Sequence, residues 1–268
     1  AEGRAAGEHS GRCAGGGVLS VELATTLPAP QPIERGGGRP ETYLSATGKK
    51  LPGVTTILGA TIPKPALVPW AYSRGKAGLA LNASRDIAGD IGSATHNGVE
   101  RFEYDGTRPT FAELRDTAEG EEARSPRESA RLAFEAYLDW RAWQKFQVIA
   151  LEVPLASDRL GFAGTLDILG RREGKLSLID LKTGGAVYFE MLLQIGAYGL
   201  LWETERGEVV EEYEIVRTNK DGTGFEHRSW TRAQMEEANV FSAWRRCFDL
   251  YTFQSGLKAL VKPRKEAA

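Results

Sequence analysis

Hydrophobic and polar positions follow two different periods along the chain. After a capping box at residues 125–128, apolar side chains recur at helical spacing from Ala130 to Trp140, whereas residues 148–155, 162–169 and 175–183 are short apolar runs typical of buried strands. A polar turn near residues 171–174 separates the last two runs and predicts a β-hairpin. Helix, three strands, helix and further strands together predict an α/β domain with a central mixed sheet flanked by helices.

Further elements surround this core. We expect two more strands over residues 209–217 and 225–230, followed by a helix that Thr231 caps. Upstream, a small hairpin over residues 39–51 precedes a helix over residues 65–80. The hairpin at residues 162–183 remains the part of the chain with the most distinctive chemistry.

Charged side chains interrupt that hairpin. Asp180 and Lys182 lie two residues apart, so they point the same way from one strand, and Asp167 falls roughly opposite Asp180 on the other. An isolated D-x-K is usually a solvated surface feature, but carboxylates inside an apolar run need a cation such as Mg²⁺ or Mn²⁺. Gln194 and Tyr198 share a face of the following helix, from which they can reach a phosphate or Lys182.

These residues resemble the motifs of the PD-(D/E)XK nuclease superfamily in its RecB branch. The resemblance rests on GTLD with Asp167, on IDLKTG with Asp180 and Lys182, and on QIGAY with Gln194 and Tyr198. The resemblance extends upstream to the segment YLSATGKKLPGVTTIL, to Trp70 and to a G-x-x-x-H motif. These upstream features are similar to those of the mitochondrial genome maintenance exonuclease and related phage exonucleases. The likeness covers about residues 43–198 and implies a restriction-endonuclease-like core.

The resemblance also implies an activity, the hydrolysis of DNA with Mg²⁺ or Mn²⁺ from single-stranded ends. It makes His96, on a helix that Asp90 is expected to cap, a metal ligand together with Asp167 and Asp180, whereas a lone helical histidine is more often a packed or surface residue. Lys182 would position the attacking water. The alternatives are an endonuclease of the same superfamily and a DNA-binding module without hydrolysis that serves a replication or repair complex.

Two nearby glutamates are weaker candidates. Glu100 lies one turn after His96 and is expected either to orient it or to face solvent. Glu152 interrupts an apolar strand and needs a partner, so we expect it to support the metal site or pair with an arginine, without acting in catalysis.

Composition limits the function classes. The chain has 268 residues, of which 41% are hydrophobic and 26% charged, as in ordinary globular proteins. It has no long apolar run or signal segment, so we expect a cytoplasmic protein without a membrane span, and the resemblance allows a phage origin. Its two cysteines, Cys13 and Cys247, are too few to ligate an iron–sulfur cluster. Protein partners are not indicated.

A net charge of −2 argues against non-specific coating of nucleic acid. Residues 49–85, by contrast, contain six basic residues and no acid, and Trp70 or Tyr72 in this window could stack on bases, although Trp70 is equally compatible with a core position. The candidate DNA-binding residues are Lys49, Lys50, Trp70, Arg74 and Lys76.

The ends of the chain lack a regular pattern. Residues 1–40 are expected to form a flexible extension, in which His9 and Cys13 are bystanders, and residues 41–268 to form the nuclease domain. The basic stretch at residues 258–265 is expected to be flexible as well.

Overall fold

The computed structural model describes residues 33–36, 39–118 and 124–261. In these ranges the strands are β1 (Glu34–Arg35), β2 (Tyr43–Leu44), β3 (Lys50–Leu51), β4 (Gln147–Ser157), β5 (Phe162–Arg172), β6 (Lys175–Lys182), β7 (Glu212–Thr218) and β8 (Phe225–Thr231). The helices are α1 (Val54–Thr61), α2 (Leu67–Lys76), α3 (Leu81–Asp105), α4 (Pro126–Trp143), α5 (Phe189–Arg206), α6 (Arg232–Glu237) and α7 (Val240–Leu260).

Six strands form one mixed sheet in the order β1-β4-β5-β6-β7-β8, and β2 pairs with β3 apart from it. Strand β5 is antiparallel to both of its neighbours, β4 and β6, whereas β6 and β7 are parallel. One core cluster joins one face of the sheet to α1, α5 and α7, and a second joins the other face to α3 and α4. The expected α/β fold, a central mixed sheet flanked by helices like that of restriction endonucleases, is confirmed.

Local sequence signals account for several element ends. The Ser125 hydroxyl accepts a hydrogen bond from the Glu128 amide at 3.1 Å, which caps α4 just before Pro126 at its first position. The turn between β5 and β6 uses Glu173 and Gly174, both with positive φ. This tight turn sets the register of the two strands that carry the charged side chains.

Several helix boundaries differ from the prediction. The helix expected over residues 65–80 spans only Leu67–Lys76. Helix α3 begins at Leu81, so the expected cap at Asp90 is wrong; Ile87 already packs against the same core cluster as Ile91. The single helix expected after Thr231 is divided into α6 and α7, because Asn239 adopts a left-handed conformation with φ of 56°.

Strand β1 lies inside the segment expected to be a flexible extension. Glu34 and Arg35 pair in parallel with β4 and form one edge of the sheet, so the folded domain begins before residue 41. Residues 1–32, with His9 and Cys13, and residues 262–268 lie outside the described residues. In the described ranges, none of the helices has the length and apolar character that a bilayer span requires.

Gly164 is a point where α5 packs directly on the sheet. A Cβ atom there would lie 2.4 Å from Cε1 of Tyr198, so Gly164→Ala should destabilise the protein by about 1–3 kcal/mol through overpacking. Gly59→Ala in α1 is the matched control, because its Cβ would meet nothing within 4 Å and alanine favours a helix by about 1 kcal/mol. Urea unfolding measures both changes, and equal stability of the two variants would contradict this packing.

Candidate active site

Three carboxylates lie side by side on neighbouring strands. The pairing of β4 with β5 leaves Glu152 opposite Asp167. The pairing of β5 with β6, continued by one residue, places Asp167 opposite Asp180 as predicted from the sequence. All three residues are buried. We call Glu152, Asp167 and Asp180 the carboxylate row.

Glu152 has an unusual backbone. Its φ is 46°, in the left-handed region that non-glycine residues rarely adopt inside a strand. Such strain persists only where the surrounding structure fixes it, and it occurs most often at functional sites. Glu152 is the functional candidate that the sequence-based prediction undervalued, and a glutamate within an apolar run was the available signal.

His96 reaches the row from α3. Its Nδ1 lies 3.1 Å from Oε1 of Glu152 and 3.6 Å from Oδ1 of Asp167. Its Nε2 lies 3.1 Å from the carbonyl oxygen of Leu181, and because a carbonyl only accepts, Nε2 must carry a hydrogen. Once His96 is neutral, Nδ1 therefore has the lone pair that a metal ligand needs.

A possible ligand set follows from these contacts. The ligand atoms of His96, Glu152 and Asp167 all lie within 4.8 Å of one another. One imidazole nitrogen and carboxylate oxygens suit a divalent cation such as Mn²⁺ or Mg²⁺. The expected ligands were His96, Asp167 and Asp180; the structure groups the first two with Glu152, and Asp180 has other partners.

Asp180 is held by the lysine and the helix that the sequence singled out. Its Oδ2 lies 2.5 Å from Nζ of Lys182, without the geometry of a hydrogen bond. The Gln194 side-chain amide donates to Oδ1 at 3.2 Å and lies 3.1 Å from the Tyr198 hydroxyl. Gln194 and Tyr198 therefore position Asp180, whereas the sequence suggested that they hold Lys182 or reach a phosphate.

The peptide group of Leu181 connects Asp167 and His96, two of the three ligands expected from the sequence. Its N–H donates to Oδ2 of Asp167 at 2.9 Å, and its carbonyl oxygen accepts from His96. Side chains alternate between the two faces of β6, so the Leu181 side chain points away from those of Asp180 and Lys182 and packs in the core, while its backbone bonds to the site residues.

Burial and charge shift two pKa values. Burial alone would lower the pKa of His96, but the Asp167 charge and the contact with Glu152 outweigh it and raise this pKa to about 9. Burial raises the pKa of the Asp180 carboxyl to about 6; Lys182 opposes this shift and the Asp167 charge adds to it. The raised pKa of His96 indicates a centre with more negative charge than its own lysine neutralises, whereas the raised pKa of Asp180 mainly reflects burial.

Glu100 does not act on His96. Its carboxylate accepts a hydrogen bond from Nε of Arg35 at 2.6 Å, which ties α3 to the edge strand β1. The expectation that Glu100 orients the histidine or faces solvent is wrong, because it is buried and paired with β1.

The candidate DNA-binding residues lie on the surface of two separate elements. Lys49 and Lys50 are exposed at the β2–β3 turn. On α2, the Arg74 guanidinium lies 5.9 Å from the centre of the partly buried Trp70 ring, and Lys76 is exposed. Tyr72 is 74% exposed, so it offers more ring surface than Trp70.

The match to a protein-family model agrees with the motifs. A family model described as the PD-(D/E)XK nuclease superfamily matches residues 70–249. Among solved structures, the chain is similar to an alkaline exonuclease, LHK-Exo, from Laribacter hongkongensis, with 13% identity, a TM-score of 0.32 and coverage of 49% of this chain and 73% of that one. It is also similar to SSO0001, with 18% identity, a TM-score of 0.30 and coverage of 52% and 72%.

No curated protein matches the chain. The family model nevertheless spans most of the described domain, from the tryptophan of α2 to α7, and includes the whole carboxylate row with His96 and Lys182. The chain belongs to the PD-(D/E)XK nuclease superfamily.

Proposed function

We propose that this protein is a divalent-metal-dependent deoxyribonuclease, an exonuclease that acts on single-stranded DNA ends. The observation that carries the proposal is the buried carboxylate row, with His96 at one end and Lys182 at the other. An endonuclease of the same superfamily would use the same centre. A binding module without hydrolysis is disfavoured, because it would not need this costly arrangement of buried charge.

His96, Glu152 and Asp167 would hold the cation, and Asp180 borders their site. When bound, Mg²⁺ or Mn²⁺ lowers the pKa of a water molecule and neutralises negative charge on the scissile phosphate. The position of Leu181 between the motif residues keeps the imidazole and the Asp167 carboxylate in place before any ligand arrives.

Lys182 is the proposed residue that acts on the water. Its ammonium group has three donors, and Asp180 holds it at the partly exposed end of β6. From there Nζ would orient the attacking water towards phosphorus, and its positive charge would favour loss of the water proton to solvent. Gln194 and Tyr198 would contribute by fixing the Asp180 carboxylate that positions this lysine.

The substrate proposal combines the family resemblance with the basic window at residues 49–85. Lys49, Lys50, Arg74 and Lys76 would contact phosphates, and Trp70, or the more exposed Tyr72, would stack on bases. Stacking requires base faces that a duplex hides, which favours single strands.

Digestion of labelled DNA tests this proposal. The parental protein should degrade a free-ended single strand with Mg²⁺ or Mn²⁺, leave an end-blocked strand intact, and stop when chelator is added. Asp180→Ala should abolish cleavage, because Lys182 loses its anchor. Glu152→Gln alters a proposed ligand, so it should lower cleavage at least as much as the loss of about 10–100-fold that follows from changing a group that only supports a ligand.

Glu237→Gln on the exposed surface of α6 is the control for the second variant and should retain parental activity. Undiminished cleavage by Asp180→Ala would refute the site assignment. Cutting of the end-blocked strand would favour the endonuclease.

Metal affinity should depend on pH through His96. The Nδ1 proton must leave before this nitrogen can bind metal, so affinity for Mn²⁺ should rise about tenfold per pH unit below a pKa of about 9. In the metal-free protein, the charged His96 ring stabilises the folded state because its pKa there is raised from 6.5 to about 9. This contribution to stability should be lost as the pH rises from about 6.5 through about 9.

Calorimetric titration with Mn²⁺ at several pH values measures this slope, and His96→Ala should flatten it. An affinity that does not change with pH in the parental protein would show that His96 is not a ligand.

Binding should depend on salt through the basic window. Replacing Arg74 and Lys76 together by alanine should reduce the slope of log K against log salt for single-strand binding by about 0.7 per lost phosphate contact. Removal of Lys262, Arg264 and Lys265 from the chain end should change the slope much less. Anisotropy titrations of Ca²⁺-loaded protein separate binding from cleavage, and a parental slope in the double variant would exclude this surface.

A further inference from the structure

Gly36, directly after β1, and Tyr43, in β2, are both attached close to the carboxylate row. The Gly36 amide donates to the Leu151 carbonyl oxygen at 3.0 Å, and a Cβ on Gly36 would lie 2.1 Å from the carbonyl oxygen of Glu152. On the other side, the Tyr43 hydroxyl lies 2.9 Å from Oγ1 of Thr165. These attachments are on β4 and β5, within two residues of Glu152 and Asp167.

Arg39 lies between these two attachments in the sequence. The groups that act electrostatically on its guanidinium include Tyr198 and the carboxylates of Asp167 and Glu152. Partial desolvation by these neighbours would lower the pKa of Arg39, but their charges outweigh it and raise the pKa. The attachments of Gly36 and Tyr43 on either side of Arg39, and the carboxylates that act on its guanidinium, indicate that Arg39 lies near the row.

The guanidinium is nevertheless available to a ligand. Arg39 is exposed, and among the described residues none lies within ion-pair distance of it or accepts a hydrogen bond from it. Arg35, four residues earlier, is by contrast committed to Glu100 at 2.6 Å. An arginine that faces an acidic centre without forming an ion pair keeps its five donors for an anion.

Charge balance indicates which anion this is. A divalent cation and Lys182 together would cancel the three negative charges of the carboxylate row, with His96 neutral as a ligand. Arg39 would then be the surplus positive charge at the edge of the site. Its planar fork matches two oxygens of one phosphate group.

We propose that Arg39 binds a phosphate of the substrate strand beside the carboxylate row. The segment that the sequence assigned to a flexible extension thus supplies a substrate-binding residue to the centre. The ligand class is a nucleic-acid phosphodiester, and the inference rests on the proposed function.

The test of this proposal is whether replacing Arg39 and neutralising one phosphate of the strand remove the same contact. Short single strands, each with one phosphate replaced by a neutral methylphosphonate, are titrated against Ca²⁺-loaded protein. The parental protein should lose about tenfold in affinity at one position, as expected for one charge-assisted contact. Arg39→Ala should bind the unmodified strand about tenfold more weakly and lose nothing further at that position.

Two more variants make the result specific. Arg39→Lys keeps the charge without the fork, so it should retain the salt dependence and recover only part of the affinity. Arg246→Ala, an exposed charge on α7, is the matched control and should keep the parental profile. Thermal unfolding shows whether each variant is folded. If Arg39→Ala does not fold, the methylphosphonate profile of Arg39→Lys is compared with the parental profile instead.

The outcomes are distinct. A methylphosphonate profile in Arg39→Ala that matches the parental profile at every position overturns this inference alone. Failure of the parental protein to bind any strand removes the proposed function and the inference together.

Discussion

Carboxylates buried side by side in an apolar sheet are favourable only when positive charge lies against them. Glu152, Asp167 and Asp180 meet this constraint in the centre of the sheet, where solvent cannot screen their repulsion. The positive groups arrive from different parts of the chain: His96 from α3 and Lys182 from β6 itself. The helices and strands around the row can therefore be understood as the framework that delivers these groups.

The same constraint connects the metal-free and the metal-bound protein. Without a cation the centre retains protons, because the carboxylates of Asp167 and Glu152 raise the pKa of His96 and burial raises that of Asp180. A divalent ion would replace that retained charge, and proton release would accompany its binding. The buried charge that is unfavourable in the free protein thus becomes the source of affinity for the cofactor.

Local sequence patterns predicted the hairpin and the relation between Asp167 and Asp180, because a tight turn fixes the register of two adjacent strands. They did not predict that Glu152 completes the row, since the register of β4 depends on packing far along the chain. Strand β1 has only two residues, too few for any periodic pattern. The partner of Gln194 was also ambiguous, because helical spacing gives a shared face and not the group it touches.

We propose above all that His96, Glu152 and Asp167 form one metal centre, with Asp180 at its border. Anomalous diffraction from crystals soaked in Mn²⁺ tests this most directly. We expect a peak within coordination distance of Nδ1 of His96 and of carboxylate oxygens of Glu152 and Asp167. No peak at that position, with Mn²⁺ bound elsewhere or not at all, would contradict it.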